Sequence, residues 1–349
     1  MKFIKSLLAG AAGIALAATS LSGIANAGSH GWEPTKPVDF IIMAGKGGGA
    51  DKMARLMQAI VEEENLSNRP LVPTNKSGGS GAEALVAAKN AADPDHTIMV
   101  TLNSFFTTPL RNPGIKVDIQ TFAPVGRMAE DTFLLWVHKD SGITSIGQFL
   151  TKVKAEGNKW IMGGTGKNSE DNIITDHLNK EYGLNIKYIP YKGGGAVAKD
   201  LAGKQINSSV NNPSEALGFY EAGTVIPLVA FTDKRLPMFP NVPTLGEVFV
   251  GGKQAPWAYY MQRAVVGAPG MSEKAQAYYT DLFTKVYNSK KWQAYKSKKS
   301  LMGEFMAGDE LKAYWTRQVD NHRAILKASG GIYCHFSGIV VLGDLQMLF

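Results

Sequence analysis

The 349-residue sequence predicts an α/β protein built as two similar lobes joined by crossing strands. Three observations carry this. Strand-like apolar runs alternate with helix-like periodic runs through most of the chain. Two glycine-rich loops each follow a predicted strand and lead into a helix. The two halves also repeat one order of features: strand, glycine-rich loop, helix, strand, polar loop.

Taken in order, Val38–Met43 reads as a strand that enters the first loop, Ala44-Gly45-Lys46-Gly47-Gly48-Gly49-Ala50-Asp51. A helix is expected from about Asp51 to Glu64, with Met53, Leu56, Met57, Ile60 and Val61 on one face. Pro70–Thr74 is a short strand, then the polar loop Asn75–Gly81, then a small-residue helix Ala82–Asn90. Thr97–Leu102 is a third strand, ending at Asn103-Ser104. Phe122–Met128 and Phe133–His138 read as strands separated by Ala129-Glu130-Asp131, with a helix over Ile146–Glu156. Trp160-Ile161-Met162 runs into the loop Gly163–Ser169 and a helix carrying Ile173, Ile174 and Leu178. Ile186–Ile189 leads into the second glycine-rich loop, Pro190-Tyr191-Lys192-Gly193-Gly194-Gly195-Ala196, and a helix over Val197–Ala202. Ile206–Val210 ends in Asn211-Asn212-Pro213, Ile226–Phe231 is a strand, Trp257–Val266 is strand-like, and the rest to Lys327 is expected to be helical.

Each triple glycine removes the volume of Cβ atoms and leaves backbone N–H groups bare just ahead of a helix, an arrangement that favours an anion. In open α/β sheets ligands bind beyond the carboxyl ends of strands. Those ends here carry Gly47–Asp51, Asn75–Ser80, Asn103-Ser104, Thr165–Ser169, Lys192–Gly195 and Asn211-Asn212. The pattern reads as a clamp on a carboxylate rather than as a catalytic centre.

The N-terminus reads as a secretory signal over 1–27: Lys2 and Lys5, an uncharged apolar stretch from Leu7 to Ile24, and the cleavage pattern Ala25-Asn26-Ala27. The single cysteine, Cys334, excludes an internal disulfide, so the core alone must hold the fold. This fits a bacterial periplasmic protein. The net charge of +7 mildly favours anionic ligands. Its lysines are scattered, apart from a cluster at 290–299 on a helix-like face, which argues against nucleic acid. Residues 333–349 form a nearly uncharged tail after a helix stop and are given no role.

Other motifs fail on context. Gly45-Lys46-Gly47-Gly48-Gly49-Ala50 satisfies a dinucleotide pattern, but the next strand ends at Thr74-Asn75 without the acid a ribose requires. No G-K-[ST] follows the glycines. Gly78-Gly79-Ser80-Gly81-Ala82 misses the nucleophile elbow at its last position. No His or Cys pair has metal-ligand spacing, so neither a metal nor a cofactor is expected. The competing reading is an exported hydrolase-like enzyme using Ser80 or Ser169.

At these residues the sequence resembles the periplasmic solute receptors of tripartite tricarboxylate transporters, also called Bug receptors. Gly47-Gly48-Gly49-Ala50-Asp51 with Ala54-Arg55 matches the family's G-G-G-x-D…A-R, and Asn75–Gly81 matches N-K-x-G-x-x-G. Phe122-Ala123-Pro124-Val125 matches F-A-P-V, and Pro190-Tyr191-Lys192-Gly193-Gly194 matches P-Y-K-G-G. Lys234-Arg235 with Pro240–Glu247 matches K-R…P-x-V-P-T-L-x-E. The ordered set runs from about Pro37 to Lys327.

The resemblance implies a type II periplasmic-binding fold: lobe one from 28–128 with 253–332, lobe two from 129–252, and the ligand between them. It implies that Gly47–Asp51 and Lys192–Gly195 act as pincers on one carboxylate. It also implies delivery of that ligand to membrane permease subunits by a receptor expected to be monomeric. The candidate ligand-binding residues are Lys46, Gly47, Gly48, Gly49, Ala50, Asp51, Ser77, Asn103, Ser104, Thr165, Lys167, Ser169, Lys192, Gly193, Gly194, Gly195 and Asn211. The family's Pro-Phe is replaced by Met43-Ala44, and Lys46 adds a cation inside pincer one. With Lys167 it points to a di- or tricarboxylate. Glu170 and Asp171 read first as solvated acids at a helix start. They could also pair with Lys167, or recognise a ligand amine or a metal–citrate complex.

Overall fold

The computed structural model describes residues 31–249, 252, 254–328 and 332; the signal-like segment and the tail after Ile332 lie outside the described residues. The strands form two five-stranded sheets of matching order. In the first, β1 (Val38–Ile42), β2 (Leu71–Asn75) and β3 (Thr97–Thr101) are parallel, in order β2-β1-β3. β4 (Ala123–Asp131) then closes that sheet's far edge.

The second sheet begins directly after β4 with β5 (Leu134–His138). It continues with β6 (Ile161–Thr165), β7 (Lys187–Tyr191), β8 (Ser208–Asn211) and β9 (Val225–Ala230), in order β7-β6-β8-β5-β9. The chain then returns to the first sheet as β10 (Met261–Gly267), antiparallel between β3 and β4. In each sheet the fourth strand is antiparallel and enters from a crossing. The expected α/β architecture with crossing strands is therefore present.

Helices α1 (Gly49–Glu63), α2 (Ala82–Lys89), α3 (Ser104–Arg111), α4 (Ile146–Glu156), α5 (Glu170–Tyr182), α6 (Gly194–Ala202) and α7 (Pro213–Glu221) follow strands, and α8 (Glu273–Asn288), α9 (Lys290–Lys298) and α10 (Gly308–Ala328) complete the described chain. Met53, Met57, Ile60 and Val61 of α1 are buried against Phe40 and Ile42, and Leu56 packs at their margin, as their helical spacing predicts. The second sheet's core packs Phe133, Leu135, Phe149, Trp160 and Met162. Trp160 satisfies its indole N–H with Ser208 Oγ at 2.9 Å. Each such fully buried aromatic side chain contributes roughly 1.5–3 kcal/mol.

Several local expectations are corrected. Ala129-Glu130-Asp131 does not separate two strands; β4 runs through it because β10 pairs along its whole length. The strand expected from Trp257 begins only at Met261, after a stack of Trp257 on Tyr259. The C-terminal helical region breaks over 299–307, where Met302 and Met306 bridge to Glu130 and Arg127. The helices α3 and α7 stand where the sequence predicts only strand ends and polar loops. Pro109 lies inside α3, and α7 opens on Pro213 under a capping box of Asn212 and Glu215. Finally, α1 and α6 begin within the triple glycines rather than after them.

Candidate functional site

A cavity of about 640 Å³ opens between the carboxyl ends of the two sets of strands. The first glycine-rich loop and the second face each other across it: a Cβ built on Gly45 would stand 3.6 Å from the carbonyl oxygen of Lys192. Lys46, Gly48, Gly49, Ala50, Ser77 and Ser104 line it from the first sheet's side. Thr165, Ser169, Lys192, Gly193 and Gly194 line it from the second. Gly48, Gly49, Gly193 and Gly194 place the N-termini of α1 and α6 on the cavity wall, so both helices direct a positive end at this space.

Other expected residues stand behind the wall. Asp51 is buried and accepts from Gly47 N at 2.8 Å, from Asn75 Nδ2 at 3.0 Å and from Arg55 Nε at 3.0 Å. Burial pushes its carboxyl up, and these donors more than offset that, so it titrates below the usual carboxylate range. It therefore shapes the first loop from behind. Gly47 is turned by that bond, with φ of +79°.

Asn103 bridges β3 to the crossing strand, donating to Tyr260 O at 2.8 Å and accepting from Gln262 N at 3.0 Å. Asn211 donates to Gly194 O and to Glu215 Oε2, each at 3.1 Å, and so braces the second loop. Lys167 and Gly195 are exposed and off the cavity wall, so Lys167 supplies no cation there.

The larger correction concerns acids. Glu170 and Asp171 are buried, not solvated. Both line the cavity, together with Glu215 and Arg263. Thr165 N donates to Asp171 Oδ2 at 2.6 Å. Burial drives the Asp171 carboxyl well up, and neighbouring Glu215 and Glu170 push it further. Burial also raises Glu170 and Glu215, against the pull of Arg263 on both. Arg263, on β10, is 3 % exposed and paired with Asp131 of β4, Nε to Oδ2 at 3.0 Å.

The glycines are small because these charged groups lie against them. A Cβ on Gly49 would meet Arg263 Nη2 at 2.7 Å, and one on Gly194 would overlap the Glu215 carboxylate. Sequence reasoning missed Arg263 and Glu215 because neither lies in a loop motif. The spacing Asn212 to Glu215, a capping box after a strand, was the available signal for the latter.

Ser80 and Ser169 line the cavity, and among the described residues no histidine does. Ser80 has a φ of +55°, with its carbonyl held by Thr108 Oγ1 at 2.7 Å.

Two α/β sheets of matching order with a cleft between their strand ends define a bilobal solute-binding protein. Residues 53–328 match the tripartite tricarboxylate transporter family receptor, and the chain belongs to that family. It is similar to Protein BugT of Bordetella pertussis, 24 % identical over 65 % of this chain and 70 % of that one. Its fold is shared with the periplasmic binding protein BugD, with a TM-score of 0.76 at 22 % identity over 85 % of this chain and 98 % of the other. It is shared equally with the R. palustris protein Rpa4515 solved with adipate, with a TM-score of 0.76 at 23 % identity over the same shares of the two chains.

Proposed function

We propose that the protein is an exported solute receptor that captures a small carboxylate between its two glycine-rich loops and hands it to the membrane permease of a tripartite tricarboxylate-type transporter. The observation that carries this reading is the approach of Gly45 to Lys192 across the cavity, which brings the positive ends of α1 and α6 to one small volume. Backbone N–H groups at helix starts hold a carboxylate without a buried counter-charge. Lys46 and Lys192 add cations at the exposed rim and favour a ligand with more than one carboxylate. The R. palustris protein of this fold solved with adipate, a dicarboxylate, supports that reading.

Binding without turnover is the expected behaviour. A thermal-shift screen of mono-, di- and tricarboxylates tests it: a ligand at about 100 times its dissociation constant adds about 2.7 kcal/mol of stability. Folded protein that shifts with no carboxylate would sink the reading.

A further inference from the structure

Leu282 to Gly303 holds six lysines, no acid and no arginine. Two of the six are neutralised at the surface: Lys285 pairs with Asp281 at 2.7 Å, and Lys291 pairs with Glu63 of α1. Lys296 is half-buried, donates to Tyr287 OH at 2.9 Å and lies 3.9 Å from Glu304. The side chains of Lys290, Lys298 and Lys299 form no ion pair among the described residues. Their helix, α9, is fixed to the molecule from beneath. Trp292 is fully buried in the first sheet's core, and the Ser289 hydroxyl caps the helix by accepting from Trp292 N at 3.2 Å. Lys290, Ala294, Ser297 and Lys298 recur at helical spacing and are exposed, so they share the outer face.

The helix runs back along α1. Lys291 meets Glu63 at one end, and at the other Lys299 lies close enough to Lys52 to feel its charge. Partial burial lowers the pKa of the Lys299 ammonium, and Lys52 and Lys298 lower it further, against a weaker pull from Glu221. Lys52, Lys298 and Lys299 are thus held together without acids enough to neutralise them, while Glu62 and Glu63 sit at the opposite end of α1. Lys52 lies in the first turn of α1, three residues after Gly49 of the cavity wall.

We infer that this patch is a docking surface for an anionic phospholipid bilayer, with Lys52, Lys298 and Lys299 meeting the lipid phosphates and Lys290 extending the contact along α9. Composition separates a lipid surface from a protein partner. Protein interfaces are enriched in aromatic, Met and Arg anchors and depleted in lysine. The outer face of α9 offers lysine with Gln293, Ala294 and Ser297, and nothing apolar larger than alanine. Flexible ammonium groups on such a face suit a diffuse layer of phosphates, and each adds to adsorption while it lies within a Debye length of the headgroups. Docking there lays the start of α1, and with it one wall of the cavity, close to the membrane. The inference is independent of which ligand the cleft takes.

Sedimentation of the purified protein with vesicles tests this, one set of phosphatidylcholine alone and one of phosphatidylcholine and phosphatidylglycerol in equal parts. Binding to the second set only, weakening as salt rises, is expected. The triple variant Lys52→Gln, Lys298→Gln, Lys299→Gln should bind at least ~10-fold more weakly. A control triple, Lys154→Gln, Lys159→Gln, Lys187→Gln, removes the same charge from exposed sites around the second sheet and should bind nearly as the wild type does. Thermal melts check that both variants are folded. Protein that fails to sediment with the anionic vesicles at low salt overturns the proposal. Equal loss in the two variants also overturns it, by assigning the effect to net charge. If the patch variant binds vesicles normally but fails to support transport in cells, the surface meets the permease protein instead and the lipid assignment falls. None of these outcomes touches the carboxylate reading, which the ligand screen decides separately.

Discussion

The carboxylate of Glu215 occupies the space that a side chain on Gly194 would fill. The second glycine-rich loop is thus bare for two reasons, the cavity in front and a buried acid behind. Gly194→Val should force Glu215 away from Asn211 and Asn212, costing about 1–3 kcal/mol in overpacking. It should also weaken carboxylate binding at least ~10-fold by displacing the start of α6. Gly195→Ala is the control, since nothing lies within 4 Å of a Cβ there. Thermal melts and titrations of both variants decide it; wild-type affinity in Gly194→Val would remove this loop from the ligand site.

The buried pair of Arg263 and Asp131 gives a second test. Arg263→Met leaves Asp131 charged and alone in the core, at a cost of about 3–5 kcal/mol. Replacing both, with Asp131→Leu added, should recover most of that loss. Denaturant unfolding of the two variants reads the difference, and equal loss in both would mean the cost is packing rather than charge.

Lys46 stands exposed at the cavity rim, so its contribution is screened. Lys46→Met should weaken dicarboxylates more than monocarboxylates, by a factor of roughly 2–5 at low salt. The gap should close as ionic strength rises. A loss equal for both ligand classes would show that Lys46 does not select between them.

His322 couples stability to pH. It is fully buried, accepts from Tyr259 OH at 2.9 Å through Nε2, and donates through Nδ1 to Gln318 O at 2.7 Å. Burial lowers its pKa from 6.5 to about 4. Below pH 6.5 the unfolded chain takes up a proton that the folded chain refuses, so stability falls as pH drops from 6.5 to about 4. The full loss is about 3 kcal/mol. Asp176, raised by burial from 3.8 to about 6, acts in the opposite direction over much of that range. The difference between the wild type and His322→Gln is therefore what to measure. Urea unfolding at pH 7, 5.5 and 4 should show the wild type losing more stability than the variant on acidification.

Much of the architecture was legible because it rests on local signals. The apolar alternation of β1 and β3, the helical stripe of α1 and the two triple glycines state their structure within a few residues. The loops that meet at the cavity were legible too, since strand ends converge in such folds. Asn103 and Asn211 stand behind the wall because a side chain's direction depends on pairing with Gln262 and Gly194, which lie 159 and 17 residues away along the chain. Arg263 was invisible for the same reason: it sits inside an apolar strand, and only the pairing of β10 with β4 gives it Asp131. Glu170 and Asp171 read as solvated from their place at a helix start, whereas the cleft between two sheets buries them.

Asp131 and Arg263 stand on neighbouring strands of the first sheet, at the places where the chain leaves for the second sheet and has just come back. An ion pair in that position ties the strand that leaves the first sheet to the strand that returns to it, so both of its partners belong to one sheet. The strength of that pair bears on how well the fold holds, while in the proposed reading the grip on the ligand falls to the glycine-rich loops.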